Sequence, residues 1–286
     1  MTLSSIHLEA FSALARALNF SKAAQTIHIT QSALSQRIKN LEEELNLTLF
    51  IRDPAGVRLT ESGERLLRYC HIKNSLEEEL IAELKQEKHG DLAGIIRLGA
   101  YSSVLRSAVI PAIAGLLRKH PKLQVDLQSV AIPDLPDLLQ RSEFDFIIMD
   151  YKLERANIET RRLGYEENVA IEGRNHKSPD DVYLDNEASD RATEEFFRGQ
   201  PGKPPKYKRA YFHDCYGIID GVSQGLGRAV MPRHLVEKNE AIRVLPGFKR
   251  QRLEVTLHFY AQPFYSRIAT ALIRELEERM PKFLST

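Results

Sequence analysis

Apolar residues recur at helical spacing through the first part of the chain. A first helix is predicted by the apolar positions Ile6, Phe11, Leu14 and Leu18. Ser21 is a suitable N-cap for a short second helix, because its hydroxyl can accept from a free backbone amide. The pattern therefore predicts two helices before residue 30, with little sign of a strand.

A third helix is predicted to begin after Thr30, which is the next N-cap candidate. Its apolar residues lie at i, i+4, i+7 and i+11 and form one stripe, made of Leu34, Ile38, Leu41 and Leu45. Asn46 follows the stripe and can end the helix in the left-handed conformation. The polar residues at the start of the helix carry no charge, and they are Gln31, Ser32, Ser35 and Gln36.

Two short extended segments follow, at residues 49–52 and 57–59. The sequence Asp-Pro-Ala-Gly between them favours a turn, because proline fixes φ and glycine permits positive φ. Thr60 then caps a long helix that is predicted to reach about Lys88. An apolar seam runs along it through Leu66, Leu76, Leu80 and Leu84. Such a seam favours pairing with a partner helix, and the alternative is that it packs only on its own domain.

Strand and helix signals alternate from Gly94 onward. The strand segments IIRLGA, LQVDLQSV and FDFIIMD are separated by helical patterns, which predicts βαβ units and a parallel sheet. A second such series begins near Arg161, and an amphipathic helix is predicted over residues 266–280. The second half of the chain is therefore expected to be an α/β domain.

Composition is that of a globular protein, with 43% hydrophobic and 28% charged residues in 286, and a net charge of +1. Only two cysteines occur, Cys70 and Cys215, which argues against a disulfide scaffold and fits a reducing compartment. The N-terminal residues lack the order of a signal peptide, and no apolar run is long enough to span a bilayer. We therefore expect a cytoplasmic protein without a membrane partner.

The net charge conceals a local basic region. Between residues 10 and 41 the acidic residues are absent, and the basic ones are Arg16, Lys22, Arg37 and Lys39. Neutral Gln and Ser side chains can donate to and accept from base edges, while cations hold phosphates. A pair of helices with a Ser/Gln surface is, however, also common in all-α domains that bind no nucleic acid.

The order of motifs narrows this choice. The stretch FSKAAQTIHITQSALSQRIKNLEEELNLTLFIRDPAGVRLTESG contains Ala-Ala, Gln-Ser-Ala-Leu-Ser, Leu-Glu, Leu-Phe-x-Arg and Leu-Thr-x-x-Gly in sequence. It resembles the N-terminal domain of LysR-type transcriptional regulators. One departure is Asn46, where that family usually has Gly; its capping role makes the change harmless.

The resemblance implies a multidomain fold. It places a winged helix-turn-helix, mainly α and DNA-binding, at residues 1–60 and a linker and dimerisation helix at 61–89. A two-lobed α/β domain of the periplasmic-binding-protein type follows at 90–286 and binds an effector. Lobe I is expected over about 90–161 plus 265–286, and lobe II over about 162–264.

The resemblance also implies residue roles in binding double-stranded DNA. It places four residues at base-facing positions, namely Gln31, Ser32, Ser35 and Gln36. Arg37 and Lys39 flank them, and Arg52 and Arg58 lie on the wing near the DNA backbone or minor groove. Lys22 is a further candidate for a phosphate contact. The alternative for Arg52 is a structural salt bridge to Asp53 or a glutamate, and Gly63 is expected to allow close packing against the first helix.

The expected effector is a small molecule, with an anionic one favoured, held between the two lobes. Tyr101, Ser102 and Ser103 follow the first strand, where hydroxyls and free backbone amides suit a carboxylate. Ile132 and His213 are weaker candidates from two other loops. The alternative for each polar position is an ordinary helix cap.

The linker helix also bears on the oligomeric state. A homodimer through the linker helix is expected, with a tetramer as an open extension, and neither cofactor nor metal is expected.

An enzyme is disfavoured because His213 and Cys215 lack a third orienting group, and no metal-ligand spacing occurs. A solute-binding receptor would not need the N-terminal domain. The Gly-x-Gly in SQGLGRAVMP precedes a strand, so it indicates a structural turn rather than a dinucleotide site.

Overall fold

The computed structural model describes residues 3–54, 56–84, 92–155 and 157–284, without the side chains of residues 82 and 83. The chain divides into two compact units, Met1–Ile95 with Pro136–Asp145 and Ile96–Leu135 with Phe146–Thr286. The domain limits at residues 60 and 89 stay predictions, because no feature of this division tests them.

The N-terminal unit is mainly helical. Its elements are α1 (Ser5–Ala17), α2 (Phe20–Thr26), α3 (Gln31–Leu45), β1 (Phe50–Asp53), β2 (Gly56–Leu59) and α4 (Glu61–Leu84). Four helices and the hairpin share one apolar core, whose largest fully buried members are Phe11, Leu14, Leu34, Ile38, Leu41, Leu49 and Leu67. The predicted helices and wing are therefore present, and residues 85–88 of the predicted long helix lie outside the described residues.

Three of the four predicted caps are confirmed, two of them on α3 and one, Thr60, on α4. Thr30 accepts from the backbone amide of Ala33 at 3.1 Å, and Asn46 ends α3 with φ 52°. The predicted N-cap of α2 is wrong. Asn19, rather than Ser21, accepts from the amide of Lys22, at 3.0 Å. Asn is at least as good an N-cap as Ser, so the helix begins two residues earlier than predicted.

The hairpin joins closely to the long helix. Strands β1 and β2 pair antiparallel, and Thr60 accepts from the amide of Gly63 at 3.0 Å, as a capping residue should. A Cβ at Gly63 would collide with the carbonyl oxygen of Leu49 and with the side chain of Leu59. The prediction that Gly63 packs against α1 is therefore wrong, because its close neighbour is the wing.

The second unit is α/β. Its strands are β3 (Gly94–Ala100), β4 (Leu123–Ser129), β5 (Phe146–Met149), β6 (Ile158–Gly173), β7 (Val182–Asp185), β8 (Lys208–Tyr211), β9 (Ala229–Pro232), β10 (Ile242–Val244) and β11 (Gln251–Tyr260). Its helices are α5 (Ser102–Val104), α6 (Ile110–Lys119), α8 (Ala192–Arg198), α9 (Cys215–Ser223), α10 (Arg233–Val236), α11 (Arg267–Arg279) and α12 (Pro281–Leu284). Helix α7 (Leu135–Gln140) belongs, except for its first residue, to the segment Pro136–Asp145 of the first unit. A π-helical turn at Leu105–Val109 joins α5 to α6, and a 3₁₀ turn at Ile132–Asp134 precedes α7.

The main sheet is mixed rather than parallel. Its order is β10-β6-β11-β5-β3-β4, and β9 also pairs with β6. Strands β3 and β5 are parallel as predicted, whereas β11 is antiparallel to both β5 and β6. The alternation of strand and helix signals does not encode strand direction, which is why the sequence pattern missed this.

Strand β6 organises the second half of this unit. It is 16 residues long, and it pairs along its first part with β11 and along its second part with β9 and β10. Its final residues are fully buried among apolar side chains that include Ile171, Val222 and Met231. Polar side chains on this strand are therefore held in a fixed position.

Candidate functional sites

Helix α3 exposes an uncharged surface at its N-terminal end. Gln31, Ser32 and Gln36 are exposed and Ser35 is half-buried, while no acidic residue occupies the first turn. On the opposite face Leu34, Ile38 and Leu41 are completely buried in the core. The sequence places amide and hydroxyl groups on a helix that the core holds firmly.

Three of these polar side chains are oriented by a neighbour. Gln31 Oε1 accepts from Ser21 Oγ at 3.2 Å, and Gln36 Nε2 donates to Asn40 Oδ1 at 2.8 Å. The hydroxyls of Ser32 and Thr30 are 3.0 Å apart. These bonds fix the side chains but leave each amide with further donors and acceptors for an outside partner.

Three basic residues predicted to flank this surface lie on α2 and α3. Lys22 and Lys39 are exposed, and Arg37 is half-buried. Lys39 Nζ lies 3.5 Å from Glu43 Oε1 in an i, i+4 pair that is more than half exposed on both sides. Such an exposed pair contributes little to stability, so Lys39 can readily leave Glu43 and contact a DNA phosphate instead.

The two wing arginines have different neighbours. Arg58 Nε lies 3.2 Å from Asp53 Oδ2 across the hairpin. Arg52 lies over the ring of Phe20, 4.1 Å from its centroid. The pairing with Asp53 considered for Arg52 is thus made by Arg58, and Arg52 is held against α2 instead.

One carboxylate that the sequence pattern did not single out joins α3 to the wing. Glu42 Oε1 accepts from the backbone amides of Leu49 and Phe50, at 2.7 and 3.2 Å. A charge-assisted bond to two amides is stronger than a neutral one. The only sequence signal was an acidic residue on the half-buried side of α3, next to the stripe.

A second group of polar side chains follows strand β3. Ser103 is buried, and Ser102 is half-buried. The thiol of Cys215 donates to Ser102 Oγ at 3.5 Å, and Arg106 lies over the ring of Tyr216 at 3.8 Å. Burial raises the pKa of the Cys215 thiol, so this sulfur is a neutral donor at physiological pH. These contacts join the segment after β3 to the start of α9.

The two weaker candidates lie in different surroundings. Ile132 is half-buried in the 3₁₀ turn before α7. His213 is exposed in the left-handed region with φ 55°, and its amide donates to Asn186 O at 2.8 Å. Within this segment it is Cys215 whose side chain contacts Ser102, and the role of His213 stays a prediction.

An acidic group that the sequence pattern did not reveal lies beside Tyr101. Glu166 of β6 is buried, with its Oε2 3.2 Å from Nε2 of His234. Asp150 follows β5, and burial together with the charge of Glu166 raises its pKa to about 6. A signal was present, since Asp150 ends the buried strand FDFIIMD, and carboxyl ends of strands commonly carry binding residues.

The Gly-x-Gly segment is the turn that its position predicted. Gly225 has φ 76° and its amide donates to Val222 O at 2.9 Å, which ends α9. Gly227 lies against Leu184, where a Cβ would not fit. Both glycines serve the passage into β9.

Metal clusters and membrane-spanning helices are both absent from the described residues. Among them no group of three or more His, Cys, Asp or Glu side chains is arranged to hold a metal ion. In the same part of the chain no helix is long and apolar enough to cross a membrane.

Known proteins share both halves of this architecture. Residues 6–64 match the bacterial regulatory helix-turn-helix protein, lysR family, and residues 89–281 match the LysR substrate binding domain. The HTH-type transcriptional regulator YofA of Bacillus subtilis is 30% identical over 95% of this chain and 97% of its own. The regulator ShiR of Corynebacterium glutamicum is 28% identical over 80% and 78%.

A solved structure shows the same fold. The full-length LysR-type regulator LysG of Corynebacterium glutamicum with bound effector Arg matches with a TM-score of 0.78. Its sequence is 17% identical, over 99% of this chain and 100% of that one. From the two domain matches and the identity to YofA along nearly the whole chain, this protein belongs to the LysR family of DNA-binding, effector-modulated transcriptional regulators.

Proposed function

We propose that the N-terminal end of α3 reads DNA bases in the major groove, through Gln31, Ser32, Ser35 and Gln36. The observation that carries this proposal is the division of α3 into two faces. Leu34, Ile38 and Leu41 are fully buried, and the uncharged polar residues opposite them are exposed or half-buried. Helix-turn-helix proteins present the N-terminal residues of their second helix to base edges in this way.

The basic residues around this surface contact phosphates. They are Lys22, Arg37, Lys39, Arg52 and Arg58. Phosphate contacts fix the register of a protein on the duplex and make its affinity dependent on salt. The net charge of +1 makes these local cations necessary, since the protein as a whole attracts DNA only weakly.

Two copies pair through α4. Several apolar side chains of this helix are exposed, and they are Leu76, Leu80, Ile81 and Leu84. Exposed apolar residues along one long helix favour helix–helix association, and a dimer would present two reading helices to a symmetric operator. Association of two such dimers would give the tetramer.

The C-terminal domain binds a small effector, for which an anionic group would lie at Ser102 and Ser103. Tyr101, Ile132 and His213 are the further candidate contacts. Ligand binding would change the contact between Cys215 and Ser102. This change would shift the population of DNA-binding conformations. The protein thus acts by binding rather than by catalysis, in the cytoplasm where its DNA lies.

Fluorescence anisotropy on labelled duplexes tests the DNA-binding residues. The full chain is titrated against the DNA upstream of its own gene and against a shuffled duplex of equal length, at several salt concentrations. We expect tighter binding to the upstream DNA at physiological salt, and affinity that falls as salt rises. Equal affinity for both duplexes would contradict base reading by α3.

A further inference from the structure

The polar group beside Tyr101 contains more hydrogen-bond acceptors than donors. We name it the acceptor cluster, and it consists of Tyr101, Asp150, Glu166, Asn168 and His234. Glu166 and His234 have side chains that are only 4% and 1% exposed, and they contact each other at 3.2 Å. Nδ1 of His234 is buried and has no hydrogen-bond partner among the described residues. When Nε2–H donates to the carboxylate, this nitrogen is an acceptor.

Asn168 adds a second acceptor without a partner. It lies two residues after Glu166 on β6, so both side chains project from the same face of the strand. Its Oδ1 is buried and forms no hydrogen bond within the described part of the chain. Its Nδ2 donates to Gln251 Oε1 over a long 3.4 Å. The amide group is therefore oriented with its oxygen unsatisfied.

The hydroxyl of Tyr101 lies beside the carboxylate of Glu166. The oxygen is buried and without a partner of hydrogen-bond geometry among the described residues. It nevertheless interacts with two carboxylates. Burial raises its pKa well above the usual value, followed by the charges of Glu166 and Asp150 and by hydrogen bonding to Glu166. The hydroxyl therefore points into the acidic group.

The charge around Asp150 is negative from several elements. Burial is the largest cause of its raised pKa, followed by Glu166 on β6, and the carboxylates of Glu195 and Asp190 at the start of α8 raise it further. Buried polar groups in proteins normally have partners, and buried charges are normally paired.

We propose that the acceptor cluster binds a cationic, N–H-rich group of the effector, namely a protonated amine, amidine or guanidine. Such a group carries the charge that the carboxylates need and several donors for the unsatisfied acceptors. An anion would be repelled, and an alcohol brings one donor and no charge. This inference rests on the proposed binding of an effector by the C-terminal domain.

The position of Tyr101 relates this subsite to the anionic one. Tyr101 directly precedes Ser102, so the two subsites meet at consecutive residues, whose Cα atoms are about 3.8 Å apart. An effector with both charges would be held at both ends. The unsatisfied atoms are buried in this conformation, so the ligand would enter when the contacts of Cys215 with Ser102 and of Arg106 with Tyr216 part.

Thermal denaturation of the full chain with three probes of similar size tests the proposal. The probes are butylammonium, butyrate and 1-butanol, used at equal millimolar concentration and equal ionic strength. We expect butylammonium to raise the melting temperature most, because a ligand that binds only the folded state stabilises it. Equal or greater stabilisation by butyrate or 1-butanol would overturn the proposal.

Variants locate the effect. Asp150→Asn and Glu166→Gln each remove a charge while retaining size, and the amide introduced by the second can still bond to His234. We expect each to weaken the binding of butylammonium roughly tenfold or more. Glu167→Gln is the matched control, since Glu167 is the next residue of β6 and its pair with Arg250 is exposed. Unchanged binding in both cluster variants, or an equal loss in the control, would contradict the proposed location.

DNA binding by the same preparation separates this inference from the proposed function. If butylammonium is bound at the cluster and DNA affinity is unaffected, the cationic subsite stands and the role of the site in regulation fails. If upstream DNA is bound selectively and butylammonium stabilises no more than the other probes, the DNA-reading proposal stands and the cationic subsite fails.

Discussion

The guanidinium of Arg52 lies over the ring of Phe20, 4.1 Å from its centroid, and so connects the wing to α2. A cation–π contact at an exposed site contributes about 0.5–1 kcal/mol. It also restricts a long, flexible side chain to one direction. Because the side chain of Arg52 is already restricted, it loses less conformational entropy when it contacts a DNA phosphate.

Replacement of Phe20 by Leu should therefore weaken DNA binding without changing sequence preference. Leu retains apolar volume but removes the ring under Arg52. We expect a loss of about two- to fivefold for both cognate and shuffled duplexes, measured by anisotropy. Arg52→Ala should cost more, and the double variant should lose no more than Arg52→Ala alone. Additive losses would show that the two residues act independently.

Gln36→Ala should instead affect sequence preference. If Gln36 contacts a base edge, its removal should cost about 1–3 kcal/mol on the preferred sequence and little on others. Lys39→Ala is the contrasting variant, which should weaken binding to every duplex and reduce the salt slope by about one. Salt titrations of both variants would measure the difference, and identical behaviour would refute this division of contacts.

Thr30→Ala should destabilise the N-terminal unit through the start of α3. The hydroxyl accepts from Ala33 N, so its loss should lower the free energy of unfolding by about 1 kcal/mol. Ser4→Ala is a close control, because Ser4 also occupies an N-cap position but its side chain makes no capping bond. Urea denaturation followed by circular dichroism would compare them. Equal losses would mean that the cap bond is not the cause.

Asp150→Asn should stabilise the protein near neutral pH. The pKa of Asp150 is raised from 3.8 to about 6 by burial and by Glu166, Glu195 and Asp190. Between these two values the folded state holds a proton that the unfolded chain has released, so stability falls as pH rises toward about 6 and the loss is complete above it. The variant should be more stable by about 1–3 kcal/mol at about pH 7.5, and the gain should vanish at about pH 4. A gain that does not depend on pH would contradict this origin.

Leu80→Glu should disrupt self-association. Leu80 is 53% exposed on α4, and a charge in an apolar seam between two helices would be buried without a partner. We expect light scattering to show a dimer or larger assembly for the parent chain and a smaller species for the variant. Glu78→Gln lies on the same helix and serves as the control. A parent chain that remains monomeric at micromolar concentration would refute pairing through α4.

Local features of this fold were predictable from the sequence. Thr30 and Asn46 act within a few residues of themselves, so composition and spacing identified them. Ser21 was a wrong choice for the same kind of reason, since Asn19 competed with it two residues away and has the better geometry.

Features that depend on distant pairing were not predictable. The direction of β11 depends on its pairing with β5 and β6, which lie some 80 to 110 residues earlier in the chain. Tyr101 follows β3 and Glu166 lies on β6, and neither has a local pattern that reveals the other. Gly63 is an intermediate case. The sequence predicted that another element packs closely against this glycine, but it did not predict which element that is.

The two amide bonds of Glu42 have a consequence for how such a protein can change during evolution. They tie the second half of α3 to the wing, whereas the proposed base-reading residues occupy the first half. New operator sequences can therefore be acquired by substitution at positions 31–36 while the mechanical attachment is retained. The N-terminal end of α3 can thus vary while its C-terminal end keeps its attachment to the wing. A change of DNA target therefore does not require a change in how α3 is held.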